Sequence, residues 1–150
     1  MAEIPNSPLA ATTAPTVEVL FDQAIEQYKA GVDPAELVPV FKEICDRAPR
    51  SSAAWACLAW LYLLTDKPDS AVRAAQRAVK LNPQDPQGRV NLAIALLDAG
   101  KPGVRQHIEI VSRVITAVAD LRTEVMDSIE DGLVRKPGWQ SLERVKQWLT

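Results

Sequence analysis

Trp55, Leu58, Ala59 and Tyr62 stand at i, i+3, i+4 and i+7, which is one face of an α-helix. The loop from Thr65 to Asp69 ends that helix, and Ala71, Ala74, Ala75 and Ala78 then line a second one before Asn82-Pro83 stops it. Small side chains along the second helix let two backbones approach closely, so this stretch predicts a helical hairpin. The pattern recurs. Phe21 and Trp55 are 34 residues apart, as are Tyr28 and Tyr62, and Pro49 and Pro83, while Pro34, Pro68 and Pro102 repeat the same step. A shared period of this length is the mark of stacked hairpins.

Taking the period as a ruler, one unit runs from about Thr16 to Pro49, a second from Ser51 to Pro83, and a third begins near Asp85. In the second, a large aromatic, a Leu, a small residue and a Tyr on the first helix are followed by two spaced alanines and a closing Pro. Trp55, Leu58, Ala59, Tyr62, Ala71, Ala78 and Pro83 fill those places, and the segment resembles the tetratricopeptide repeat family; only Ala75 departs, where a larger apolar residue is usual. The first unit keeps Phe21, Ala24, Ile25, Tyr28 and Pro49 but packs Leu37, Phe41 and Ile44 where alanines are expected. The third keeps Leu92, Ala93, Leu96, Gly100 and Pro102, with Arg89 replacing the aromatic and Ala117 the closing Pro. The resemblance covers residues 17–117 and implies an all-α, right-handed α-α superhelix that binds other proteins.

Two features depart from a plain repeat. Pro39 falls in the second turn of a helix capped by Asp33 and opened by Pro34, where it removes a hydrogen bond at a cost of about 3 kcal/mol, so a local kink is expected. From Val104 to Asp131 there is neither Gly nor Pro. Ile108, Val111, Ile115, Val118, Arg122, Val125 and Ile129 step by three or four, predicting one continuous helix about 42 Å long that overruns its partner. Beyond Lys136-Pro137-Gly138, Trp139, Leu142, Val145, Trp148 and Leu149 pattern a short amphipathic helix, which reads as a cap over the end of the solenoid. The expected organisation is a disordered segment over 1–16, three hairpins over 17–118, and an extended helix with a capping helix over 119–150.

Composition narrows the function. Apolar residues make up 47% and charged residues 24%, with few aromatics and a formal charge of −2. Residues 1–51 carry eight acids against four bases, residues 52–103 four against six, and the remainder balances, so no broad field steers nucleic acid to the chain. No apolar run approaches the roughly 20 residues of a membrane span. Residues 1–16 resemble neither a secretory signal nor a transit peptide. Cys45 and Cys57 lack zinc-type spacing and read as small buried hydrophobes in a reducing, cytoplasmic compartment.

Catalysis asks for convergent polar groups, and none emerges. His107 is the single histidine and reads as a partly exposed helix residue; no phosphate loop or nucleophile elbow is present. Glu124, Asp127, Glu130 and Asp131 read as a solvated acidic face rather than a metal site. The chain is therefore expected to be no enzyme and to need neither metal nor cofactor.

The resemblance places binding on the concave surface lined by the first helix of each unit. Carried over position by position, it implies Asp22, Gln23, Glu26 and Lys29 from the first unit, Ala53, Ala56, Cys57, Trp60 and Leu64 from the second, and Gln87, Val90, Asn91, Ile94 and Asp98 from the third. Trp60, five positions from Trp55 and so on another side of its helix, is expected to anchor a partner from that concavity. Asp22 and Glu26 disfavour acidic tails of the chaperone-carboxylate kind, for which Asn91 alone is suited. The expected partner is a peptide or helix with an apolar centre and a basic end, held by an adaptor. The alternative is a scaffold or assembly factor that self-associates, as a homodimer, through its C-terminal helices. Arg73, Arg77 and Lys80 form a basic stripe, but without aromatic interleaving they do not point to nucleic acid.

Overall fold

The computed structural model describes residues 15–150, and among them are eight helices and no strand. They are α1 (Val17–Lys29), α2 (Pro34–Arg47), α3 (Ser52–Leu64), α4 (Pro68–Leu81), α5 (Pro86–Asp98), α6 (Val104–Ala117), α7 (Ala119–Arg135) and α8 (Gln140–Leu149). Most of the segment expected to be disordered, residues 1–14, lies outside the described residues, and Thr16 caps α1 by accepting from the Val19 amide.

Local chemistry sets most helix ends. Asp33, Ser51 and Asp85 each accept an amide hydrogen bond from the first turn they precede, and Pro34, Pro68 and Pro86 occupy first positions where no amide hydrogen is needed. At the other end, α1, α3 and α5 finish alike. The amide of Val32 reaches back to the Gln27 carbonyl, Lys67 to Tyr62 and Lys101 to Leu96, across Gly31, Asp66 and Gly100 in left-handed conformation. The repeat in the sequence is thus a repeat in backbone geometry. Helix α2 continues through Pro39; Pro39 and Ala35, whose carbonyl loses its partner there, are both exposed, so solvent can take the missing bond.

Packing follows the pairing expected of a right-handed α-α superhelix. α1 lies against α2, α3 against α4 and α5 against α6, while α2 touches α3, α4 touches α5, and α3 touches α5. Phe21 meets Phe41 edge-on at 5.7 Å between ring centroids, closing the first hairpin. The core runs through α3 and α5: every residue from Val90 to Leu96 is buried, and Leu58, Ala59, Leu61 and Leu63 join them. The alanines of α4 are buried against this layer as the sequence pattern requires.

The continuous helix over 104–131 is corrected. α6 ends at Ala117, Val118 adopts an extended conformation (φ −127°, ψ 103°), and α7 starts at Ala119. The apparent seam is really two: Ile108, Val111 and Ile115 are buried on α6, Val125 and Ile129 on α7, and Val118 and Arg122 between them face solvent. α7, at 17 residues the longest helix, is the extended C-terminal one, and with α8 it folds back on the third hairpin, α8 touching α5, α6 and α7. The break falls where there is neither Gly nor Pro, and α7 beyond it packs back against α5 and α8. His107 is also corrected: it is buried, with its Nδ1 2.9 Å from the Arg89 guanidinium, and burial together with that cation lowers its pKa. Both cysteines are free. No helix among the described residues is long and apolar enough to cross a membrane.

Val118 caps α7 without a side-chain hydrogen bond and is 44% exposed. Val118→Ser supplies the missing acceptor and removes an exposed apolar side chain, and should stabilise the fold by about 1 kcal/mol. A urea midpoint that falls instead would indicate a helix running unbroken through position 118 in solution.

Candidate functional site

Trp60, expected to anchor a partner, faces α1 and α7 and is 9% exposed, so little of its indole reaches solvent. The chain's own C-terminal segment covers it. Its indole packs against Trp139 at 5.6 Å between centroids, and its far edge lies over Gly132 of α7. A Cβ at position 132 would come within 2.7 Å of both the Trp60 ring and Leu142, so only glycine permits this approach. The indole N–H donates to the Tyr28 hydroxyl at 2.8 Å, and that hydroxyl donates in turn to Asp131. Burial, then the bond to Asp131, push the Tyr28 pKa well above the ordinary tyrosine value.

Cations complete the closure. Arg135 pairs with Asp131 at 3.1 Å, stacks 3.7 Å from the Tyr28 ring centre and donates to the Tyr28 backbone carbonyl. Lys136 donates to the Leu63 carbonyl and pairs with Asp66 at 2.6 Å, and the Trp139 N–H donates to Asp98 at 3.0 Å. Tyr28, Leu63 and Asp98 lie at the C-terminal ends of α1, α3 and α5, where the helix dipole favours positive charge. One corner of the chain, residues 131–139, therefore ties together the ends of all three first helices.

Beside this closure a cavity of about 530 Å³ remains between α1, α3, α5 and α7, open to solvent. Ile25, Phe41, Ala56, Cys57 and Leu61 give it an apolar lining, with Lys29 from α1 and Glu124, Ser128 and Asp131 from α7. Asn91 stands at its base with its amide committed: Nδ2 donates to the Ala56 carbonyl at 3.0 Å and Oδ1 accepts from Gln87 at 2.8 Å. Burial pushes the Cys57 thiol up to about 12, so it stays protonated. A neutral thiol, a neutral phenol and an amide bonded within the chain at both its oxygen and its nitrogen stand beside the apolar lining.

The structure divides the predicted contact residues. Cys57, Trp60 and Asn91 line the cavity; Val90 and Ile94 are wholly buried in the core behind it; Leu64 is half-buried outside the lining. Asp22, Gln23 and Glu26 are exposed on α1 and stay out of the lining, Glu26 lying 3.8 Å from Lys29. The sequence reading does not reach Tyr28, Phe41, Glu124, Ser128 and Asp131 as lining residues, because the period assigns the first two to repeat packing, Glu124 and Asp131 read as a solvated acidic face, and Ser128 carries no signal of its own. One signal existed, the lone Gly132 within a helical run, which marks a close backbone approach.

Residues 52–97 match the tetratricopeptide repeat family. Among solved structures the chain is similar to the Yersinia enterocolitica type III secretion translocator chaperone SycD in an alternative dimer, at 19% identity and TM-score 0.62, covering 83% of this chain and 97% of that one. It is also similar to SycD in complex with a peptide of the translocator YopD, at 19% identity and TM-score 0.56 over 91% and 92%. A third likeness is to the first tetratricopeptide domain of Spaghetti (RPAP3) bound to the HSP90 peptide SRMEEVD, at 18% identity and TM-score 0.53 over 89% and 92%. At such identities these likenesses show the fold. No curated protein matches the chain in sequence.

Tyr28→Phe leaves the Trp60 N–H without its acceptor in a buried site and should cost about 1–3 kcal/mol in chemical denaturation. The folded state holds the Tyr28 proton that the unfolded chain releases, so this hydroxyl's contribution is intact below the ordinary tyrosine pKa of about 10 and declines as pH rises beyond it. Phe at position 28 should flatten that part of the alkaline fall. Gly132→Ala should cost about 1–3 kcal/mol by overpacking; an unchanged midpoint would mean that α7 does not sit on Trp60.

Proposed function

We propose that the chain is a non-catalytic protein-interaction module, an adaptor of three tetratricopeptide-like hairpins over residues 17–118 whose C-terminal segment, 119–150, narrows the concave face to one cavity. A short apolar segment of a partner protein lies in that cavity, over Ile25, Phe41, Ala56 and Leu61. The observation that carries the reading is an open, apolar space of about 530 Å³ on the concave side of a repeat fold. SycD with its YopD peptide and RPAP3 with its HSP90 peptide support it, since both are similar folds that hold peptides.

The lining argues for the partner's chemistry. A carboxylate clamp needs free amide and cationic groups, whereas the Asn91 amide is spent within the chain. Glu124 is exposed at the mouth, with Asp22 and Glu26 on the neighbouring α1, so a basic residue flanking the apolar one is favoured over an acidic tail. Self-association is the second reading. It rests on Val134, 78% exposed, and Trp148, 46% exposed, on the outer sides of α7 and α8.

Ser128→Trp puts a large side chain into the cavity from α7 without touching the contacts of Trp60. Proximity labelling in the native cell should recover the partner about tenfold less with this variant, a loss of the size of one interface anchor. Equal recovery, with an unchanged circular dichroism spectrum, would refute the cavity. For the second reading, light scattering behind a sizing column should show a dimer at tens of micromolar that Val134→Asp with Trp148→Ser converts to monomer; a monomeric wild type removes it.

A further inference from the structure

The basic stripe that the sequence left without aromatic company acquires it in three dimensions. Arg73 and Arg77, one turn apart on α4, form one wall of a cleft on the convex side, and Lys42 of α2 stands on the other. Trp55 and Tyr62 of α3, both half-buried, lie at its floor, and the cleft holds about 320 Å³. The Arg77 guanidinium sits 5.4 Å from the Trp55 ring centre, while the indole N–H is fixed to the Pro49 carbonyl at 2.9 Å. The ring is thereby held rigidly.

Among the described residues the three cations, Lys42, Arg73 and Arg77, have no ion-pair partner, although Arg47, Lys101, Arg135, Lys136 and Lys146 are all paired. Arg73 donates only to Ser70 on its own helix, at 3.2 Å. Three unpaired cations around an apolar floor, in a chain of net charge −2, are a local inversion of the protein's field.

We infer that this convex cleft docks a short acidic segment of a protein partner, its carboxylates on Arg73, Arg77 and Lys42 and one apolar side chain on Trp55 and Tyr62. The site is separate from the concave cavity. Asp46 also lines the cleft and opposes any anion beside it; a short peptide can turn its apolar side chain toward that wall, whereas a polyphosphate carries charge at every unit.

The test uses the full chain, labelled with nitrogen-15, and a synthetic pentapeptide of sequence Glu-Asp-Leu-Glu-Asp at low salt. Binding should move the Trp55 indole resonance and leave those of Trp60 and Trp139 in place. Arg73→Glu with Arg77→Glu, both on exposed positions, should weaken it by at least about tenfold, and Lys42→Glu on the opposite wall should weaken it too, while a neutral Gln-Asn-Leu-Gln-Asn peptide should not bind. Affinity should fall as salt rises. Three results would each overturn the inference: no Trp55 shift at millimolar peptide, equal affinity for the double variant in a spectrum that shows it folded, or an oligothymidylate of equal charge binding more tightly than the peptide.

Discussion

The approach of α7 to Trp60 at Gly132 governs the architecture. A backbone without a side chain passes beneath an indole and beside Leu142, in a space where a single methyl group would collide with both. Once that contact is made, Asp131 reaches Tyr28, and Arg135 and Lys136 reach the carbonyl ends of α1 and α3. The chain between α6 and this contact must then turn out of the α6 axis, which Val118 does in extended conformation. The closure of the groove and the helix break accompany one packing contact, while the groove itself comes from the stacked first helices.

The hairpins were legible in the sequence for a physical reason. A repeat reuses the same local signals, namely proline at the first helical position, a cap before it and a left-handed residue after the first helix, and these act over a few residues. Gly31, Asp66 and Gly100 show how closely the geometry repeats even where the residue differs. What lay outside the sequence pattern was long-range. Tyr28 meets Asp131 across 103 positions and Trp60 meets Tyr28 across 32. Spacing of five from Trp55 sets Trp60 on another side of its helix, but no periodicity says that a distant glycine will cover it. Val118 carries the same lesson, since a β-branched residue in an apolar seam interrupted only by Arg122 reads as helix, whereas in the fold it is the corner between α6 and α7. The basic stripe on α4 was visible, whereas its aromatic floor belongs to another helix.

Covering Trp60 changes what the concave face can do. A solenoid with bare first helices offers a long trough, and its exposed end requires a cap. Here α7 and α8 perform the capping and shorten the trough in one stroke. Asn91 fits the same economy: at 1% exposure its amide cross-links α5 to α3 through the Ala56 carbonyl, so a residue type that elsewhere grips ligands is turned to holding the stack together. Cys57 on α3 and Tyr28 on α1 are both kept neutral by burial, so the charges of the cavity wall come from Lys29 on α1 and from Glu124 and Asp131 on α7.

Volume then selects the conformation of what binds. A helix about 10 Å across rising 1.5 Å per residue fills roughly 120 Å³ per residue, so the cavity of about 530 Å³ seats about one turn and leaves further length outside its open mouth. To lay a longer helix along the first helices, α7 would have to leave, which takes Asp131 away from the Tyr28 hydroxyl, uncovers the Trp60 ring and exposes Trp139 and Leu142. An extended segment that inserts two or three side chains disturbs none of these. On the proposed reading, a short extended stretch of partner suits the cavity with the tail in place, and a long helical partner would have to supply in its own contacts what the tail gives up.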